Sequence, residues 1–289
     1  MRIGFTLPIG YLAGNVTNEE DMWWQEIFGS VDECFRRLKE SGIASVEIKD
    51  CREGISPSQL RHSVEAVRDG GLEITVHGWL PKMGTDCRLP PVIQELERAL
   101  TKHQQEGLIP FTVHSHSTSL ERGVEIPHDE PHKRTLYDLS LLSRALAPKS
   151  VLAVALELCR HKARRSAGVT FSDVLFMTNE ICLENLGLCW DIGHSQANYL
   201  GQKDLRLPPD GFVEQVIHAH IHDVGPDGRT HWPVLTEQGY VRDCIDLLKS
   251  SGYSGVYNLE LSLLRWESSP KECRSHIEAS INSMARMLS

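Results

Sequence analysis

The sequence lacks several patterns by which protein classes are recognised. None of its eight cysteines forms a Cys-x-x-Cys pair, which excludes a zinc ribbon and a thioredoxin-like motif. No apolar run approaches the roughly 18 residues of a membrane-spanning helix. No Gly-x-Gly-x-x-Gly follows a predicted strand, which disfavours a dinucleotide-binding fold. Basic residues number only 30 against 39 acidic ones, and the net charge of −9 disfavours nucleic acid as the main partner.

The composition is that of an ordinary folded chain. Hydrophobic residues make up 40% and charged residues 24% of the 289, so a sizeable core is expected. No linker or low-complexity run divides the chain, and one domain over residues 1–289 is predicted. Scattered single cysteines indicate reduced thiols and a cytoplasmic location. The opening MRIGFTLPIGYLAGNVT superficially resembles a signal peptide, but Pro8 and Gly10 interrupt it, and Ile3 to Leu7 is predicted as a first strand.

A helix followed by a short apolar run recurs along the chain. Apolar residues at three- and four-residue intervals predict helices at 30–42, 57–71, 92–107, 132–148, 171–187, 241–255 and 270–288. Nearly all-apolar runs predict further strands at 43–50, 72–78, 108–116, 150–159, 188–194, 216–223 and 256–262. Left-handed helix caps are expected at Gly42, Gly107, Gly187 and Gly252. Eight strands alternating with helices predict an α/β fold, the (β/α)8 TIM barrel.

Polar residues stand where these strands end, which is the catalytic face of such a barrel. Four of them, Glu157, Asp191, His220 and Glu260, are each about one βα unit apart and are expected to converge. Three carboxylates and one imidazole form an oxygen-rich site that suits Mn²⁺ or Mg²⁺ and tolerates Co²⁺ or Zn²⁺. One divalent metal ion is therefore predicted, with carboxylates beside the substrate as general acid and base.

The segment VIHAHIHD at 216–223 places three histidines on one face of a strand. Only His220 is expected at the depth of the carboxylates. His218 is predicted to be an interior hydrogen-bonded residue, and His222 a residue of the rim. Glu47 stays open between a metal ligand and an ion-pair partner, and His116 is expected in a loop or at the rim.

The pieces VEIKD, ALEL, WDIGH, HAHIHD and GVYNLELS, in this order, resemble the xylose-isomerase-like TIM-barrel superfamily. The similarity runs over essentially the whole chain. This superfamily includes sugar and sugar-phosphate isomerases and epimerases, inosose dehydratases and family-2 apurinic endonucleases. The resemblance implies Glu157, Asp191, His220 and Glu260 as metal ligands and Glu157 and Glu260 as the proton-transferring pair. It also implies that His194, three residues after Asp191, contacts the substrate or a second metal.

The preferred function is an isomerase or epimerase that acts on a small keto-sugar, sugar phosphate or cyclitol through an ene-diolate. The alternatives are a dehydratase of the inosose or dehydroshikimate type, a zinc-dependent apurinic endonuclease, and a non-catalytic barrel subunit. His77 and His114 match histidine ligands of the endonuclease branch, but its Asp-x-His reads Arg229-Thr230-His231 here, and a cation would repel zinc. In the isomerase the predicted substrate contacts are His77, His114, His194, His231 and Arg229. The expected partner is a carbohydrate-like small molecule, with no nucleic acid or membrane, and a homo-oligomer stays open.

Overall fold

The computed structural model of the chain describes residues 1–84, 88–102, 107–117, 129–146, 150–161, 167–200, 207–262 and 269–289. Eight parallel strands close into a barrel in chain order, with β8 pairing back to β1. The strands are β1 (Arg2–Pro8), β2 (Ile43–Cys51), β3 (Glu73–Trp79), β4 (Ile109–His114), β5 (Leu152–Glu157), β6 (Leu186–Asp191), β7 (Val216–Ile221) and β8 (Val256–Leu259). The predicted (β/α)8 barrel is confirmed.

Helices surround this barrel. In the described ranges they are α1 (Ile9–Leu12), α2 (Glu19–Phe28), α3 (Val31–Glu40), α4 (Pro57–Asp69), α5 (Pro91–Leu100), α6 (Glu130–Leu146), α7 (Phe171–Ile181), α8 (Ile192–Asn198), α9 (Tyr240–Ser250) and α10 (Pro270–Leu288). The predicted extension of α5 through 103–106 lies outside the described residues. The sequence analysis missed α1, α2 and α8.

Helix α2 forms because its ends are well defined and one face is apolar. The Asn18 side chain accepts a hydrogen bond from the backbone N–H of Asp21 at 2.9 Å, which caps the first turn. Trp24 is 1% exposed and packs edge-on against Phe5 of β1 at 5.6 Å and parallel to Phe28 at 5.8 Å. The helix therefore belongs to the core that covers the barrel.

The predicted cap at Gly187 is wrong. Helix α7 ends earlier, and Cys182 takes the left-handed conformation with φ of 48°. Gly187 lies inside β6, where a Cβ would come within 2.8 Å of Ile217 and of the Gln215 carbonyl. This glycine is needed for the close approach of two strands rather than for a turn. The sixth strand is also shorter than predicted, because it ends at Asp191 and α8 follows at once.

No helix in the described parts of the chain is long and apolar enough to cross a membrane. The seven described cysteines form no disulfide, and the eighth, Cys87, lies outside the described residues.

Candidate metal centre and active site

The imidazole of His220, near the end of β7, faces three carboxylates. Its Nδ1 lies 3.1 Å from Oε2 of Glu260, 3.7 Å from Oε2 of Glu157 and 3.8 Å from Oδ2 of Asp191. These residues come from β5, β6, β7 and the residue that follows β8. All four are at most 2% exposed. The four predicted ligands therefore converge on one buried point.

The donor atoms at this point fit a cation. Both carboxylate oxygens of Glu157, Oε2 of Glu260 and Nδ1 of His220 are buried and make no well-oriented hydrogen bond in the described part of the chain. Buried polar atoms normally make such bonds, so these atoms have lone pairs available to a ligand. One ligand atom from each of Glu157, Asp191 and His220 lies within 4.8 Å of the other two. A divalent ion is the group that these atoms can hold together.

Three histidines surround the carboxylate of Glu157. Nε2 of His77 lies 3.2 Å and Nε2 of His114 3.0 Å from Oε2, while Nδ1 of His194 lies 3.1 Å from Oε1. Burial raises the pKa of Glu157, but the nearby imidazoles, His114 foremost, hold that pKa well below its usual range. Glu157 is therefore ionised at neutral pH, the state in which it can bind a cation.

A layer of polar side chains lies beneath the metal-binding atoms, and Glu47 is at its centre. Its Oε2 accepts hydrogen bonds from Nε2 of His218 and Nε2 of His220, each at 2.9 Å. Its Oε1 accepts from the Thr6 hydroxyl at 3.0 Å and from the Asn258 amide at 3.1 Å. An ionised carboxylate only accepts, so Nε2 of both histidines must carry a proton. Glu47 thereby orients His220 with Nδ1 toward the other carboxylates.

Asp191 is fixed by two neighbours. Its Oδ1 accepts the backbone N–H of His194 at 2.6 Å, which caps α8, and lies 3.0 Å from Nε2 of His222. Nδ1 of His222 accepts the backbone N–H of His231 at 2.9 Å, so its Nε2 is the nitrogen that donates. Oδ2 of Asp191 accepts a hydrogen bond from Nε2 of His222 at 3.2 Å, lies 3.1 Å from Nδ1 of His194, and faces Nδ1 of His220 at 3.8 Å.

Gly193 allows His222 to reach Asp191. A Cβ at Gly193 would lie only 1.9 Å from Cε1 and Nδ1 of the His222 ring. We expect Gly193→Ala to displace this imidazole, to lower the free energy of unfolding by about 1–3 kcal/mol and to weaken Mn²⁺ binding. Urea unfolding of the metal-free protein and calorimetric Mn²⁺ titration measure the two effects.

A double-mutant cycle provides the control for this contact. With His222→Ala as the background, the clash is gone, and Gly193→Ala should then be nearly neutral. An equal loss of stability in both backgrounds would show that the glycine is needed for another reason.

Glu260 faces a cavity of about 190 Å³ at the open end of the barrel. Its Oε1 lies 3.4 Å from Nζ of Lys49 and 3.7 Å from Nδ1 of His77. Burial raises the pKa of Glu260, but His231, Lys49 and His220 lower it well below the usual range. The residues that line the cavity are Lys49, Asp50, His77, Gly78, Trp79, His114, Arg160, His194, His231 and Glu260.

Several predicted residues lie where the sequence analysis did not expect them. His222 was predicted at the rim, but it is fully buried. A turn folds back over it, because Asp223 and Trp232 exchange backbone hydrogen bonds at 2.9 and 3.0 Å. This turn brings the His231 ring to 4.3 Å from that of His222. Arg229 is exposed on the turn, and its guanidinium contacts the Asp227 carboxylate; it does not line the cavity.

The expectations for three further residues have clear outcomes. His218 is fully buried and bonded to Glu47, so its prediction as an interior hydrogen-bonded residue is confirmed. Glu47 itself is a partner of histidines. His116 lies beyond β4, partly buried, with Nε2 2.8 Å from Oδ2 of Asp138.

The sequence analysis missed Lys49, Asn258 and Arg160. Lys49 is two residues after Glu47 on β2, and Asn258 is two residues before Glu260, so the period-2 alternation of strands was a usable signal for both. Arg160 follows β5 outside any regular element, and no local pattern marks it.

One relative, an uncharacterised protein of Methanocaldococcus jannaschii, is 30% identical over 105 residues. The matched stretch covers 34% of this chain and 33% of that protein, so the match spans about one third of the relative's length.

Solved structures match over nearly the full length. A 3-keto-D-glucoside 4-epimerase from E. coli superposes with a TM-score of 0.60, at 17% identity, over 100% of this chain and 99% of the other. A D-allulose 3-epimerase from Methylomonas sp. in complex with D-allulose gives 0.65 at 12% identity, over 99% and 97%. The IOLI protein with a bound zinc atom gives 0.60 at 15% identity, over 100% of both chains. At these identities the similarity shows the fold.

The family comparison covers most of the chain. Residues 35–284 match the family described as xylose isomerase-like TIM barrel. This range includes strands β2 to β8 and every residue of the candidate metal centre. The chain belongs to the xylose isomerase-like TIM barrel family.

Proposed function

We propose that the chain is a divalent-metal-dependent isomerase or epimerase of a small keto-sugar, sugar phosphate or cyclitol. One observation carries the proposal: Nδ1 of His220 lies within 3.8 Å of an oxygen of each of three buried carboxylates. The substrate class is supported by the two epimerases of the same fold, one of which binds D-allulose.

The residues proposed to hold the ion are Glu157, Asp191, His220 and Glu260. A bound divalent ion, whether Mn, Mg, Co or Zn, supplies Lewis-acid polarisation of a substrate carbonyl. The IOLI protein, which has the same fold, was solved with a bound zinc atom, and this supports a metal ion in the present chain.

Glu157 and Glu260 are the proposed acid–base pair. They approach different nitrogens of the His77 ring, Oε2 of Glu157 at 3.2 Å from Nε2 and Oε1 of Glu260 at 3.7 Å from Nδ1. A substrate carbon held between them has one carboxylate on each side. One carboxylate removes the proton next to the carbonyl, and the C–H electron pair moves toward the carbonyl oxygen to give an ene-diolate.

The fate of the ene-diolate depends on where the proton returns. The opposite carboxylate can deliver it to the other face of the same carbon, which gives the epimer. Delivery to the neighbouring carbon gives the isomer, and loss of a β-hydroxyl gives the dehydration product. His77, His114, His194 and His231 line the cavity and are proposed to bind substrate hydroxyls.

An apurinic endonuclease is the second candidate. It is favoured by a second group of donors, because His77, His114 and Glu157 can also bring ligand atoms within 4.8 Å of one another, beside the first group. A third group consists of His194, His222 and His231. The net charge of −9 and the small cavity favour a sugar over a DNA strand.

Metal analysis and proton exchange test the proposed function. Protein purified without chelator is expected to carry about one equivalent of divalent metal. With D-allulose, D-fructose and 3-keto-glucosides in D₂O, deuterium should appear at the carbon next to the carbonyl. EDTA should abolish the exchange and Mn²⁺ should restore it.

Other outcomes would support the alternative functions. About three zinc ions with cleavage of abasic DNA would support the endonuclease. Protein without metal or exchange would support a binding barrel.

A further inference from the structure

A second cavity of about 390 Å³ opens beside the cavity of about 190 Å³ that contains Glu260. We call the first the outer cavity and the second the inner cavity. The indole of Trp79, at the end of β3, lines both. It is 45% exposed, and its ring centroid is 5.5 Å from that of His114. The two cavities are therefore neighbours, and Trp79 forms part of the wall of each.

The wall of the outer cavity is held in place from below. Asp138 of α6 is fully buried, and its Oδ1 accepts the backbone N–H of Met83 at 2.9 Å. Its Oδ2 lies 2.8 Å from Nε2 of His116, whose backbone N–H bonds to the Thr135 hydroxyl at 2.9 Å. One buried carboxylate thus fixes the segments after β3 and β4. The cavity is preformed, which lowers the entropic cost of binding.

The lining of the outer cavity combines an apolar floor with a charged rim. Leu80 and Ile93 are at most 6% exposed and form the floor next to the Trp79 indole. Arg52, Glu53 and Lys82 are exposed and line the rim. A sugar ring has the matching chemistry, since its C–H faces are apolar and its hydroxyls lie at its edges. The negative charge of Glu53 would repel a phosphate group, whereas its carboxylate can accept hydrogen bonds from sugar hydroxyls.

We propose that the outer cavity binds a second, uncharged sugar ring, so that the substrate is a glycoside whose keto-sugar ring occupies the inner cavity. This inference rests on the proposed function for the inner ring alone. Trp79 contributes its aromatic surface to both rings, and Arg52, Glu53 and Lys82 bind the hydroxyls of the outer ring. The outer cavity has the larger volume, 390 against 190 Å³, and holds the ring that is not chemically changed.

Calorimetric titration of the Mn²⁺-loaded protein with unreactive sugars tests this inference. The probes are glucose and a panel of glucose disaccharides, namely cellobiose, maltose, trehalose and sucrose. At least one disaccharide is expected to bind about tenfold or more tightly than glucose. Equal affinity for glucose and for the whole panel, or no binding of any of these sugars, overturns the proposal.

A variant that fills the outer cavity locates the effect. Val92 of α5 lines the outer cavity and is absent from the lining of the inner one. Val92→Trp should remove the disaccharide preference and leave the affinity for glucose within about twofold of the wild type. The matched control is Leu108→Trp, because Leu108 is 49% exposed and precedes β4 at the opposite end of the barrel. This control should keep the preference.

The rim is tested separately from the floor. Arg52→Ala and Lys82→Ala should each weaken disaccharide binding by about three- to tenfold, with little effect on glucose binding.

A preference for disaccharides over glucose that persists in Val92→Trp overturns the proposal even where turnover is normal. A preference that is lost in Val92→Trp, without proton exchange on any keto-sugar, supports the sugar subsite and contradicts the proposed reaction. The two ideas therefore fail by different measurements.

Discussion

Glu157→Gln is expected to abolish binding of the proposed divalent ion and to lower kcat for proton exchange by about two to four orders of magnitude. Glu157 brings two buried oxygens that make no well-oriented hydrogen bond to the centre, and an amide offers one weaker acceptor in their place. Glu260→Gln should have an effect of the same order, because Oε2 of Glu260 makes the closest carboxylate approach to Nδ1 of His220. Metal content, circular dichroism and exchange of the α-proton in D₂O are the measurements.

A buried carboxylate outside the centre provides the matched control. Glu95 of α5 is 5% exposed, and its carboxylate contacts Arg61 at 2.7 Å and also Arg98. Glu95→Gln removes a charge of the same type from a buried position, yet it should leave metal content and exchange unchanged. Folded Glu157→Gln and Glu260→Gln proteins with full metal content and full exchange would contradict the proposed ligands and the acid–base pair together.

The second large effect is expected at Glu47, which does not line the proposed substrate cavity. Four donors converge on its carboxylate, from His218, His220, Thr6 and Asn258. In Glu47→Gln the amide NH₂ must face two of these donors, whichever way the amide is turned. The tautomers of the two histidines are then no longer determined by the carboxylate. Nδ1 of His220 is therefore no longer held in its unprotonated form. We expect the Mn²⁺ affinity to fall by about 10–100-fold.

Two measurements separate this positioning role from a general loss of structure. Burial lowers the pKa of His220, but the carboxylates around it raise that pKa well above the usual value, so nitrogen-15 spectra of the metal-free protein must be recorded at a pH above that pKa to show which ring nitrogen keeps the proton. Calorimetry gives the Mn²⁺ affinity. Thr6→Val is the control, because it removes one donor from Oε1 of Glu47 and leaves the His220 contact in place. It should change the metal affinity by no more than about threefold. An unaltered tautomer in Glu47→Gln would refute the positioning role.

The barrel could be predicted because its signals are local. Each strand is a short apolar run, and each is separated from the next by a helix with a regular apolar spacing. The convergence of Glu157, Asp191, His220 and Glu260 followed from the topology alone, since strand ends meet at one face of a barrel. Helix α2 was missed because Trp23 and Trp24 are adjacent, which obscures a helical stripe. Only packing shows that Trp24 faces Phe5.

The environment of His222 could not be predicted for a different reason. Its burial depends on a turn that pairs Asp223 with Trp232 and on a glycine at position 193, which is distant along the chain. Neither contact produces a periodic pattern. The role of Glu47 was left open for the same reason, because three of its four partners are about 170 residues away or more on β7 and β8. Contacts between remote strands are the part of such a site that a sequence pattern does not display.

The polar layer around Glu47 has a consequence for the way the protein is made. The hydrogen-bond donors to Glu47 come from β1, β7 and β8. The first and the last strands of the barrel are therefore both needed to satisfy the oxygens of this buried carboxylate. A nascent chain that has not yet released β8 from the ribosome would have to bury Glu47 without Asn258 and without closure of the barrel. The proposed metal centre can therefore be assembled only after β8 has been synthesised, because Asn258 lies in that strand and Glu260 follows it.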